Sequence, residues 1–258
     1  MKKIFLFYFF ILINTCFAQF SKTHYIPPLS GSNTTSAVAE EQYLYISTPN
    51  INAVNFKIIN LGGNIISATV SKNNPYIYYI GSGSNTQLMV DKSSVNNVLA
   101  NKGYVIEAED LIYVSVRVVA GNSNQAGAVV SKGIAALGKE FRIGALNNLT
   151  TSNYDANQYT FVAVLATENN TKVSFSNIKL GAVLINNNSG NIPPDVILNS
   201  GESFVMAVEG PTKANRDALI GVLVSSDKPI AVNCGSFAGT NATTNIDLGF
   251  DQIVPVER

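Results

Sequence analysis

The sequence predicts an all-β protein, two antiparallel β-sandwich modules in tandem, and three observations carry that prediction. From Tyr43 onward, short runs of β-branched and aromatic residues are separated by Gly, Asn and Pro. Ile112, Val114, Val116 and Val118 alternate with Tyr113, Ser115 and Arg117, as a strand with one dry and one wet face must. Ala218 to Gly235 reads as two strands, aliphatic on both faces and joined by a polar turn at Ser225, Ser226, Asp227 and Lys228. Pro229 fixes the backbone where the second of those strands begins. A β-propeller is the alternative, because evenly spaced short strands fit one as well.

At the N-terminus, Lys2 and Lys3 precede an apolar run from Ile4 to Ile13, and Cys16 and Ala18 follow. This is the pattern of a secretory signal peptide, residues 1–18, cut between Ala18 and Gln19. The run is too short to span a bilayer, which needs about 20 residues. Thr15 and Phe17 around Cys16 make a poor acylation site. The remaining chain, from Gln19, carries 15 basic and 17 acidic residues once Lys2 and Lys3 are subtracted from the 17 and 17 of the whole. That small, interspersed charge gives no bulk attraction to nucleic acid, and no later segment is apolar enough for membrane insertion. Cys234 is then the sole cysteine, so no intrachain disulfide is expected, and its place in a strand marks it as a buried, inert thiol.

Residues 19–42 read as a loop segment, with Pro27-Pro28 followed by a polar stretch from Ser30 to Ser36. The first β-module is assigned to residues 43–146, with strands at Tyr43–Thr48, Val54–Asn60, Ile65–Val70 and Tyr76–Ile80. Gly62-Gly63 marks a tight turn between the second and third. Ser93 to Lys102 is the one place where a short helix fits, with Ser94 as its cap. The second module, residues 147–258, opens with Phe161 to Ala166, a turn at Glu168-Asn169-Asn170, and a strand through Val173 and Phe175, which together read as a hairpin. An Asn-rich loop from Asn186 to Pro194 and a strand from Phe204 to Val208 follow. The chain ends just after Ile253-Val254-Pro255, and a longer parent protein is expected.

The two halves echo each other. Tyr43 to Ile46 and Val54 to Lys57 pair with Tyr159 to Val162 and Lys172 to Phe175. Weaker echoes link Gly103 to Val105 with Glu202 to Val205, Leu111-Ile112 with Leu219-Ile220, and Leu137 to Glu140 with Leu248 to Asp251. The offsets are too uneven for a solenoid and suit two diverged modules, with a boundary between Ala145 and Asn157.

The stretches Ala166 to Val173, Leu198 to Glu202, Ser226 to Val232 and Gly249 to Pro255 resemble the immunoglobulin Fc-binding protein N-terminal domain family. The resemblance covers Val129 to Arg142 and Phe161 to Arg258. It implies an extracellular β-rich module of the kind found in mucus-associated animal proteins and large bacterial surface proteins, some of them gliding-motility-associated. His24 to Leu29 looks like the bacterial form. These are turn-and-strand signatures, so they point to no site residue, and Fc binding cannot be assigned to any side chain.

Chemistry is sparse. His24 is the only histidine and falls in the loop-like segment, a poor place for a catalytic base. One His and one Cys nearly exclude zinc. Calcium needs only oxygen ligands, but Glu107, Glu109 and Asp110, or Asp247 and Asp251, lack the density of an EF-hand loop. Gly81-Ser82-Gly83 after a strand lacks the rest of a phosphate loop and reads as a solvent turn. Asn33, Asn148, Asn169, Asn187 and Asn241 each begin a glycosylation triplet, several by chance in so Asn-rich a chain. Tyr76 and Tyr78 share a strand face on which a sugar or partner could stack, packing being the plainer role. The expectation is an exported, non-enzymatic recognition or adhesion module with no cofactor, no metal and no assigned catalytic residue. Its partner is an extracellular protein or glycan. The alternatives are a carbohydrate-binding or carbohydrate-active β-sandwich and a structural stalk.

Overall fold

The structure is a computed structural model that describes residues 19–32, 37–148, 157–188, 193, 195–210, 212–240 and 245–256. The expected signal peptide lies outside the described residues. Among the described residues the fold is almost wholly antiparallel β, in two curled sheets packed against each other.

The first sheet is organised on one long strand. In chain order, β1 (Phe20–Ile26), β2 (Leu29–Ser30), β3 (Ala39–Ser47), β4 (Val54–Asn60), β5 (Ile65–Val70), β6 (Tyr76–Ser82), β7 (Met89–Val90) and β8 (Val98–Leu99) lead to β9 (Tyr104–Ala120) and then β10 (Gln125–Val130). Tyr113 of β9 lies opposite both Phe20 and Ser47, so β1 and β3 flank β9 on opposite edges. The remaining pairings put β3 and β4 end to end along one edge and β1 and β10 along the other. Outside them, β6 pairs with β3 and β5 with β4. Short β2 and β7 pair in parallel apart from this sheet.

The second sheet repeats the plan around β16 (Leu223–Gly239), the other seventeen-residue strand. Its partners are β11 (Gly138–Arg142), β12 (Tyr159–Ala166), β13 (Thr171–Ser176) and β17 (Asp247–Ile253), with β14 (Val196–Leu198) and β15 (Ser203–Glu209) outside. Ile230 lies opposite both Gly138 and Ala166, which puts β12 and β13 on one edge and β11 and β17 on the other. Thus β12 and β13 are collinear neighbours, not the expected paired hairpin.

β16 also replaces the hairpin expected within Ala218 to Gly235. Leu219 and Ile220 lie in turns before it, and the polar residues lie inside the strand. The pairing explains their presence. β13 stops at Ser226 and β12 starts at Ile230, so on that edge Asp227 to Pro229 face neither, and a proline without an N–H breaks no ladder bond. Instead they brace the β12–β13 turn: the Asp227 carboxylate accepts from the Lys172 N–H at 2.8 Å, and the Thr167 hydroxyl donates to the Pro229 carbonyl at 2.7 Å.

Two further expectations are corrected. The N-terminal segment is not loop-like, since β1 runs along β9 and buries His24 and Ile26. The helix expected from Ser93 is a single 3-10 turn at Lys92–Ser94, capped by Asp91, whose carboxylate accepts from the Ser93 N–H. Extended backbone at Val95 ends it, Asn96 then takes a positive φ, and Val98–Leu99 adds to the second sheet.

The strand alternation is what makes the cores. Ile106, Ile112, Val114, Val116 and Val118 of β9 are buried, while Arg117 is exposed. β12 is buried on both faces, sending Tyr159, Phe161 and Ala163 into a first core beneath the first sheet and Val162, Val164 and Ala166 into a second. Fully burying each large apolar side chain stabilises by about 1.5–3 kcal/mol, and sharing β12 between cores makes the two sheets stack instead of hanging apart. Of the echoes in the sequence, Tyr43 to Ile46 and Tyr159 to Val162 fall on strands in the same place, β3 and β12. Gly103 to Val105 and Glu202 to Val205 do not, one opening β9 and the other opening β15.

Candidate recognition surface

The face of the first sheet turned away from the core is open to solvent. On β3, Tyr43 and Tyr45 alternate with buried Leu44 and Ile46, so both tyrosines point outward. Tyr43 lies opposite Tyr79 of β6 on one side and Arg117 of β9 on the other. The Tyr43 ring is 5.2 Å from that of Tyr79 and 6.1 Å from that of Tyr45. The Arg117 guanidinium sits 4.8 Å from the centre of the Tyr45 ring, a cation–π contact. The Tyr43 hydroxyl donates to Glu41 at 2.8 Å, which raises the phenol above its ordinary value. Tyrosines braced by each other and by an arginine form a rigid, amphipathic contact area, the composition of binding hot spots.

A groove of about 520 Å³ lies on the same sheet where β5, β4 and β9 run together. Asn55, Lys57, Ser67, Thr69, Glu107 and Glu109 line it. Glu109 accepts from the Asn55 amide at 2.8 Å. Beyond it Asp110 accepts from Asn50 at 2.8 Å, and the Leu111 N–H followed by that amide holds its carboxyl below the ordinary value. These carboxylates are engaged by amides, and among the described residues no group of three or more His, Cys, Asp or Glu is placed to hold a metal ion.

The structure redistributes the residues singled out in the sequence. Tyr76 and Tyr78 face the first core, Tyr76 meeting Phe56 edge-on at 5.2 Å, so Tyr79, Tyr43 and Tyr45 are the aromatics that β6 and β3 turn outward. The signal was there: Tyr43 and Tyr45 alternate with aliphatic residues, and Arg117 sits on the wet side of the β9 pattern. His24 is fully buried. Its Nε2–H donates to the Ile112 carbonyl at 3.0 Å and its Nδ1 is 2.9 Å from the Ser131 hydroxyl. Asp251 pairs with the Lys132 ammonium at 2.8 Å and Asp247 caps the Leu248 N–H. The expected turn at Gly81-Ser82-Gly83 is corrected: Gly81 and Ser82 are the last residues of β6, paired with Gln42 and Glu41, and only Gly83 follows the strand, both glycines having positive φ. Asn148 is buried against Thr160 and Thr240 and Asn169 is exposed at a turn, while Asn33 and Asn241 lie outside the described residues.

Cys234 is buried, and burial pushes its thiol up to about 11. In a chain beginning at Gln19 it should resist a disulfide-exchange reagent at neutral pH and react once denaturant is added; rapid native labelling would contradict its burial.

Fold and surface together define an all-β module with one sheet face turned to solvent. A family model described as IgGFc binding protein matches residues 127–258, just over half of the chain, and the chain belongs to that family. Membership implies an extracellular binding module, and no helix among the described residues is long and apolar enough to cross a membrane. No curated protein and no solved structure matches the chain.

Proposed function

We propose that the chain is exported after loss of residues 1–18 and acts as a non-enzymatic recognition or adhesion module of a larger cell-surface protein, of the gliding-motility-associated bacterial type. The observation that carries this reading is the outward cluster of Tyr43, Tyr45, Tyr79 and Arg117 on a sheet whose other face is locked into the core. Glu107 and Glu109 stand side by side on one strand, whereas a glycosidase pair faces across a bond; this supports a binding role. The common pairing plan around β9 and β16 supports reading the chain as a duplicated β-module. A carbohydrate ligand is the second reading, favoured by the amide, hydroxyl and carboxylate lining of the neighbouring groove.

Purified Gln19–Arg258 is to be screened against glycans, mucins and immunoglobulin Fc, the last being the ligand in the family's description. For the ligand captured, Tyr45→Ala and Arg117→Ala should each weaken binding about tenfold or more, as hot-spot truncations do. No ligand at all would favour a stalk, and a ligand indifferent to both substitutions would move the site elsewhere.

A further inference from the structure

We propose that the outer edge of β6 is a self-association site, at which two copies of the chain pair antiparallel about Tyr78 and join their first sheets into one. The inference does not rest on the recognition reading above. It starts from a contrast between two strands in equivalent places. In the second sheet, the outer edge of β15 is covered along its length. Val98 and Leu99 pair with Phe204 and Ser203, the Asn96 N–H donates to the Val205 carbonyl at 2.8 Å, the Ile185 N–H donates to Ala207 at 2.9 Å, and Leu184 bridges to Val208. In the first sheet, β6 pairs with β3 on its inner side, and no strand among the described residues pairs with its outer side.

An open edge is normally blunted by charge, proline or shortness. The core of β6, Tyr76-Ile77-Tyr78-Tyr79-Ile80, has none of these, its one irregularity being the register shift against β3 at Ile80, and Ile77 and Tyr79 are 56% and 51% exposed. The other open edges are less suited. β14 is three residues long and follows Asp195, which is paired to Lys172, and β5 presents one apolar residue, Ile65, outward beside Ser67 and Thr69.

The occupant follows from register. Residues directly opposite in an antiparallel pair must point to the same face. A two-fold axis at Tyr78 meets that condition from Tyr76 to Ile80. Ile77 then faces Tyr79 of the second copy on the solvent side, Tyr79 faces its Ile77, and Tyr76 faces its Ile80 on the other side. These are aromatic with β-branched pairs, a favoured cross-strand combination, and the contact is isologous and closed. With no charge on the strand, nothing repels a copy of itself and nothing selects an oppositely charged partner.

The test is the mass of the Gln19–Arg258 chain in solution across a concentration series, by light scattering and sedimentation. The wild-type chain should double its mass with concentration, and amide hydrogen exchange over residues 76–82 should slow in step. Ile77→Lys with Tyr79→Lys should stay monomeric, since like charges then face each other across the axis. Ile77→Lys with Tyr79→Glu should recover the dimer, because each new lysine faces a new glutamate in this register alone. Three results would each overturn the proposal: a wild-type chain monomeric at every concentration, including one whose β6 is covered by some other protein; a dimer that survives the double lysine; or a charge-paired variant that remains monomeric.

Discussion

Lowering the pH from about 7 to about 4 is expected to remove about 3 kcal/mol of folding stability through one residue, His24, at roughly 1.4 kcal/mol per unit of pKa shift. Burial is the first cause, lowering the imidazole from 6.5 to about 4, against the Ile112 carbonyl and the Ser21 backbone, which raise it. The sign follows from which state takes the proton. Between 6.5 and about 4 the unfolded chain binds a proton that the folded chain refuses, so stability is complete above 6.5 and falls as the pH drops through that window. Below about 4 both states are protonated and the loss is complete. His24→Gln keeps a donor for Ile112 and a polar atom towards the Ser131 hydroxyl but cannot titrate. Denaturant unfolding at a series of pH values should therefore give a steeper slope for the wild type than for the variant. Parallel slopes would show that His24 charges in place without penalty.

That result would also explain why this histidine is structurally placed as it is. The Ser131–His24–Ile112 chain ties β1, β9 and the residue after β10 together, while the Gln252 amide donates to the Tyr25 carbonyl at 2.7 Å and that of Asn233 to Pro27 at 2.7 Å. An N-terminal strand is thereby fastened to the second sheet by two buried side-chain amides. None of this was legible from residues 19–42, whose prolines and serines read as loop. The strand's partners lie roughly 85 to more than 200 positions away in the chain, a range at which local pattern carries no signal.

Local pattern did place the strands themselves. The alternation at Ile112 to Val118, the Gly62-Gly63 turn between β4 and β5, and the two-faced burial of Phe161 to Ala166 all follow from side-chain periodicity. It failed wherever the answer depended on which neighbour a strand meets. The Ser225 to Pro229 stretch has turn composition, yet it stays extended because one neighbour leaves at Ser226 and the next arrives at Ile230. The outward tyrosine cluster was missed for a related reason. Tyr76 and Tyr78 were correctly put on one face, but only pairing with β3 reveals that this face is the dry one and that Tyr79 joins Tyr43 outside.

Gly235 is where that pairing is least forgiving, and Gly235→Ala is expected to cost about 3 kcal/mol or more, combining a strained backbone with overpacking. Its φ is +151, outside the extended region that side chains prefer, and a Cβ there would lie 2.0 Å from the Gly249 carbonyl oxygen and 2.9 Å from Phe250 Cα. Those are backbone atoms of β17, so no rotamer change relieves the clash and β17 must move off β16. Phe250 moves with it, and its ring packs 5.7 Å from Phe161 and 6.2 Å from Phe237 in the first core. The midpoint of thermal unfolding should fall by roughly 6–12 °C, at about 2–4 °C per kcal/mol for a chain of this size. Gly144→Ala, where a Cβ meets nothing within 4 Å, should leave the midpoint nearly unchanged. Equal midpoints for the two variants would mean that β17 is free to shift along β16, and that the glycine following Cys234 is not what lets the two strands approach.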